Sequence, residues 1–127
     1  MSGWRGFVAA GGALVALATV LGALGAHALQ GRLGEQSLHA YDTAVRYHFY
    51  HALGLIAIGL TARVLDAGLL RWAGLFVIAG IVLFSGSLYA LTFGAPRPLG
   101  AITPLGGLSL IAGWVLFVIA VVSARRV

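Results

Sequence analysis

Apolar positions fill four long stretches of this chain, and short polar or proline-bearing segments separate them. The first runs over residues 6–29, behind Arg5. As a helix rising 1.5 Å per residue it covers roughly 36 Å, enough to cross a hydrocarbon core of about 30 Å with some tilt. Ala26 and Ala28 flank His27 in a small-x-small pattern, yet the stretch far exceeds the roughly 7–15 apolar residues of a cleavable signal, so it reads as a retained helix. Within it Ala18, Gly22 and Ala26 recur at every fourth position, a ridge of small side chains that lets helix backbones approach in lipid.

Residues 30–42 are polar, with Arg32, Glu35, Gln36, His39 and Asp42. Leu38, Tyr41 and Val45 keep helical spacing, so part of this stretch lies helically at the interface or extends the next span backward. The second span, about 43–62, is irregular. Arg46, His48 and His51 occupy its first half, and its uninterrupted apolar run, 52–62, is too short to cross alone. A re-entrant segment is one reading. A full crossing with its polar half turned toward protein is preferred, because a lipid-facing Arg or His costs about 3 kcal/mol or more.

Arg63, Asp66 and Arg71 mark a turn, and the third span covers about 70–93, with Trp72 at the interface and a second small ridge at Gly86, Ala90 and Gly94. Residues 94–102, with Pro96 and Pro98, form a stiff connector. Thr103-Pro104 then reads as a helix start, Thr as N-cap and Pro where its missing N–H is no loss. The fourth span, about 103–124, ends at Arg125-Arg126. The pattern predicts an all-α integral membrane bundle of four transmembrane helices, residues 1–127 forming a single transmembrane domain.

Composition points the same way: 61% of the residues are hydrophobic and 9% charged, against about 25% charged in soluble domains. A soluble fold of this size could not hide that much apolar surface. The eight basic residues are all Arg and sit at segment ends, so the net charge of +5 speaks for membrane headgroups and not for nucleic acid. Arg5, Arg63, Arg71, Arg125 and Arg126 collect on the side of the termini, against Arg32, Arg46 and Arg97 on the other. The positive-inside rule then places both termini in the cytoplasm. The absence of Lys, with heavy use of Ala, Gly, Leu and Arg, reads as coding bias and points to a bacterium, hence to its cytoplasmic (inner) membrane. There is no Cys, which excludes disulfides and thiolate chemistry.

By depth, the first three spans direct polar groups into one layer near the outer leaflet. His51 and Ser85 each lie roughly 12 Å inward from that face, and Arg46, His48, Ser87 and Tyr89 fall between. Intramembrane ionisable residues point to function by default, which makes His27, Arg46, His51, Ser85, Ser87 and Tyr89 a candidate polar ligand or lipid site. The bland alternative is a satisfied packing layer, in which Asp42 and Arg46 pair at i,i+4 and the remaining groups cap helices or bond to one another. His48 and His51 share a helix face, but no carboxylate or Cys completes a metal set, so neither metal nor cofactor is expected. Catalysis is not expected either. The carboxylates are Glu35, Asp42 and Asp66, no nucleophile elbow surrounds Ser37, and a phosphate loop needs a Lys that the chain lacks.

Four segments together resemble the YgdD/YwdK-like family of small bacterial inner-membrane proteins, grouped as a domain of unknown function. They are Gly22-Ala23-Leu24-Gly25-Ala26-His27, Thr43-Ala44-Val45-Arg46-Tyr47 leading to Tyr50-His51-Ala52-Leu53, Phe84-Ser85-Gly86-Ser87-Leu88-Tyr89, and Ile102-Thr103-Pro104-Leu105-Gly106-Gly107. His48 departs from the family pattern, where a polar amide is more usual. The resemblance implies a four-span helical membrane protein and no established activity. The expectation is therefore a small binding or accessory protein that contacts membrane lipid, a second copy of itself or another membrane protein. The competing expectation is a homo-oligomeric channel or transporter for protons or a small solute, which the apolar character of residues 111–122 disfavours.

Overall fold

The computed structural model describes residues 3–126 and is built of four long helices. Helix α1 is Gly3–His27, α2 is Glu35–Val64, α3 is Gly68–Thr92 and α4 is Ile102–Ser123. They run alternately up and down, so the Leu65–Asp66 turn (β1) meets Arg125–Arg126 (β2) in a two-residue antiparallel pairing. The same end holds Trp4, whose ring lies under the Arg5 and Arg63 guanidiniums at 5.4 and 5.3 Å. We call this the terminal end, and the opposite one the loop end.

The bundle is two helical hairpins, α1 against α2 and α3 against α4, joined mainly through α2 and α3. Small residues set both hairpin seams. On α1 the buried positions are Phe7, Gly11, Ala18 and Gly25, the last three at seven-residue steps, the repeat of a left-handed coiled seam. A Cβ on Gly11 would stand 2.8 Å from the Ala52 carbonyl oxygen, and one on Gly59 would stand 2.8 Å from that of Trp4. Between α3 and α4 the backbone at Gly106 lies directly against Leu83 and Phe84. Of the ridges that four-residue spacing predicts, only Ala18 is among these seam positions. Ala26 is exposed, and Gly86 has open space around it, because a long antiparallel contact follows the heptad repeat and not the steeper i,i+4 row.

The structure extends the second element well beyond 43–62. Helix α2 has 30 residues, about 45 Å long, and takes in Glu35–Asp42 as its first two turns. Helix α3 carries a π-helical segment, Ile81–Ser85, that no feature of the hydrophobic pattern announces. At its far end Gly94 adopts φ +100°, a left-handed conformation open to glycine, and turns the chain into the connector. Thr103 is not the N-cap of α4. A 3₁₀ turn, Arg97–Ala101, leads directly into the helix with the Ile102 N–H bonded to the Leu99 carbonyl, so no side-chain cap is needed there.

The core sits toward the middle and terminal half: Phe7, Leu55, Ile58, Ala73, Val77, Ile81 and Leu110. Three helical segments, Gly3–His27, Gly68–Thr92 and Arg97–Ser123, are long and apolar enough to cross a membrane. Helix α2 is long enough, but its first half carries the polar groups considered next.

Candidate functional site

The inward stripe of α2 is Tyr41, Ala44, His48, Ala52, Leu55, Ile58 and Gly59. Ala44 and Ala52 flank His48 one turn on either side, and their small side chains let α1 and α3 close around the imidazole. His48 is 2% exposed. Its Nδ1 lies 2.8 Å from the Tyr89 hydroxyl of α3, with the rings edge to face. Its Nε2 is buried with no hydrogen-bond partner among the described residues.

The neighbouring polar groups of α3 are all spoken for. The Ser85 hydroxyl donates to the Ala44 carbonyl at 2.8 Å, so α3 is fastened to α2 at the end of the π-helical segment. Ser87 lies 3.0 Å from the Phe84 carbonyl and 2.5 Å from the Thr103 hydroxyl of α4. Tyr41 packs edge-on against Tyr89 and Phe93, and its hydroxyl donates to the Leu21 carbonyl of α1. Two of these bonds join α2 to α3, one joins α3 to α4 and one joins α1 to α2, so the layer ties all four helices together. A buried polar layer of this kind, satisfied except at the Nε2 of His48, adds specificity as well as stability, since any shift of register leaves further groups unpaired.

The structure does not bring the six residues singled out from the sequence into one cluster. Ser85, Ser87 and Tyr89 belong to the buried layer. His27 is exposed at the last turn of α1, where the helix ends. Arg46 is two positions from His48, roughly 200° around the helix, and points outward. It pairs with Asp42 at 2.9 Å, the side chains 65% and 58% exposed. His51 is half-buried on the α4 side, where its Nδ1 lies 2.8 Å from the Tyr47 carbonyl and its ring stacks on Tyr47 and approaches Trp114. Trp114 in turn covers Gly54.

His48 is the residue that sequence reasoning left out of the site, and a usable signal existed. Its four-residue spacing from Ala44 and Ala52 places it on the small-residue stripe of α2. Among the described residues no group of three or more His, Asp or Glu side chains is arranged to hold a metal ion.

The outward stripe of α2 has a different character. Arg46 is followed by the exposed Tyr50, Leu53, Leu60 and Val64, a charged head above an apolar column. The Asp42 carboxylate takes the Nε of Arg46, and the Arg46 side chain stays largely exposed.

The family described as "Protein of unknown function (DUF423)" matches residues 21–107. The UPF0382 membrane protein YwdK of Bacillus subtilis is 46% identical over 117 residues, 91% of this chain and 95% of its own length. The UPF0382 membrane protein SH2409 of Staphylococcus haemolyticus is 46% identical over 110 residues, 86% of this chain and 89% of its own. SAB0533 of Staphylococcus aureus is 43% identical over the same shares. No solved structure matches. The matched segment contains the buried layer from Leu21 to Thr103 and the whole outward stripe of α2, and on this evidence the chain is a membrane protein that belongs to the DUF423 family of unknown function.

Proposed function

We propose that the protein is a non-catalytic, lipid-binding accessory element of the bacterial inner membrane that crosses it four times with both termini in the cytoplasm. Helix α2 is the fourth crossing in this reading: it packs along α1 over its length and contributes the fully buried Leu55 and Ile58 to the core. The observation that carries the function is the outward stripe of α2. The Arg46 guanidinium, held by Asp42 at Nε, offers its terminal nitrogens to a phosphodiester, and Tyr50 and Leu53 line the path of the acyl chain below. The buried layer around His48 and Ser85 keeps α2 in the rotation that presents this stripe.

Native mass spectrometry of the protein released from phosphatidylcholine nanodiscs tests the reading. The wild type is expected to retain a phospholipid adduct that Arg46→Ala loses. Equal retention by both overturns the proposal. The competing transport reading draws support from the unpartnered Nε2 of His48. It has to contend with the apolar core of Leu55, Ile58, Val77 and Leu110 beneath the polar layer, which offers a single copy no polar path.

A further inference from the structure

At the terminal end, α1 and α3 diverge and leave a groove of about 630 Å³ between them, within the roughly 300–1,000 Å³ of small-molecule sites. The ring of Phe7, seated on Gly74, forms part of its wall. Leu75 and Ile78 form its α3 wall, one and two turns below Arg71, so the apolar part reaches about 10 Å inward from the charged mouth. Gly6 on the α1 wall leaves its share of the space empty, since a Cβ there would meet nothing within 4 Å.

The mouth is basic. Arg71 lines it and is exposed, and Trp4 beside it carries the guanidiniums of Arg5 and Arg63 over its ring. Arg125 is brought alongside by its backbone pairing with Asp66, the one carboxylate in the groove. The terminal end thus gathers Arg5, Arg63, Arg71 and Arg125 against Asp66, whereas the loop end sets Arg32, Arg46 and Arg97 against Glu35 and Asp42. Among the described residues the one ion pair within 4.0 Å is Arg46–Asp42, at the other end of the molecule.

An apolar trough under a cationic mouth, at the level where a membrane's headgroups lie, is complementary to one class of molecule. We propose that this groove is a site for a single anionic phospholipid of the adjacent leaflet, its phosphate at Arg71 and one acyl chain along Phe7, Leu75 and Ile78. The site is separate from the α2 stripe and does not depend on it. Trp4 provides an amphipathic ring at the same depth, and the arginines around it supply the preference for a net negative headgroup.

The test uses the full chain in nanodiscs of equal phosphatidylcholine and phosphatidylglycerol, with native mass spectrometry of the retained lipid. The wild type is expected to retain phosphatidylglycerol over phosphatidylcholine by about fivefold, the size of effect one basic residue exerts at an anionic surface. Arg71→Gln and Gly6→Leu, the latter filling the groove from a position with room for a side chain, should each bring the ratio near one. Arg46→Ala should leave it unchanged, which separates this site from the α2 stripe. In a Trp72→Phe/Trp114→Phe chain, brominated phosphatidylglycerol should quench Trp4 more strongly than brominated phosphatidylcholine. No preference in the wild type, a preference that survives Gly6→Leu, or an equal loss in Arg97→Gln at the far end overturns the proposal, the last by showing general surface charge.

Discussion

Gly11 and Gly12 are neighbours on α1 and differ in what a methyl group would meet. At Gly11 an added Cβ would lie 2.6 Å from Ile56 Cγ1, 2.8 Å from the Ala52 carbonyl oxygen and 3.0 Å from the Ile56 backbone nitrogen. The Ile56 side chain can rotate away, but the two backbone atoms cannot, so α1 must lift off α2. At Gly12 nothing lies within 4 Å. Both Gly→Ala changes gain the same helix propensity, about 1 kcal/mol, so the difference between the two variants isolates the seam. Overpacking of this kind costs about 1–3 kcal/mol, and the displacement would also disturb the Tyr41–Leu21 hydrogen bond across the same interface. Thermal unfolding in one fixed detergent, followed by near-ultraviolet circular dichroism, is the assay. Gly12→Ala is expected to melt at or above the wild type, and Gly11→Ala several degrees below it. If the two variants melt within about a degree of each other, the close approach of α1 to α2 at this point is wrong.

Two further outcomes are expected. A double-mutant cycle of His48→Ala and Tyr89→Phe should show a coupling of about 1 kcal/mol or more, since each change leaves the other's polar atom without this partner; additive effects would remove the pair from the structure's supporting layer. In a chain carrying cysteine at Ser37 or Ser123, a membrane-impermeant thiol reagent added outside intact cells should label position 37 and spare position 123, and the reverse pattern would invert the proposed topology.

What the sequence determined by itself is the solvent. An apolar fraction of 61%, broken at three places by Arg, Asp, Gly or Pro, dictates long helices in lipid whatever the packing, because unpaired backbone groups cannot be left in hydrocarbon. The i,i+4 pairing of Asp42 with Arg46 is legible in the same way, since local spacing along one helix fixes it. Which side of each helix faces inward was not legible in the hydrophobic pattern, because Ala and Gly occur on both sides of α1 and α2, and only the small-residue spacing around His48 hinted at it. Depth alone therefore grouped Arg46, His27 and Ser85, residues that the structure separates. Only the tertiary structure selected the heptad seam through Gly11, Ala18 and Gly25, turned His48 inward and Arg46 outward, and placed Ser85 on the Ala44 carbonyl beside a π-helical segment. The physical reason is that in lipid, helix rotation is set by close backbone contact and a few interhelical hydrogen bonds between residues far apart in sequence, and the small residues at those contacts stand among many others that make none.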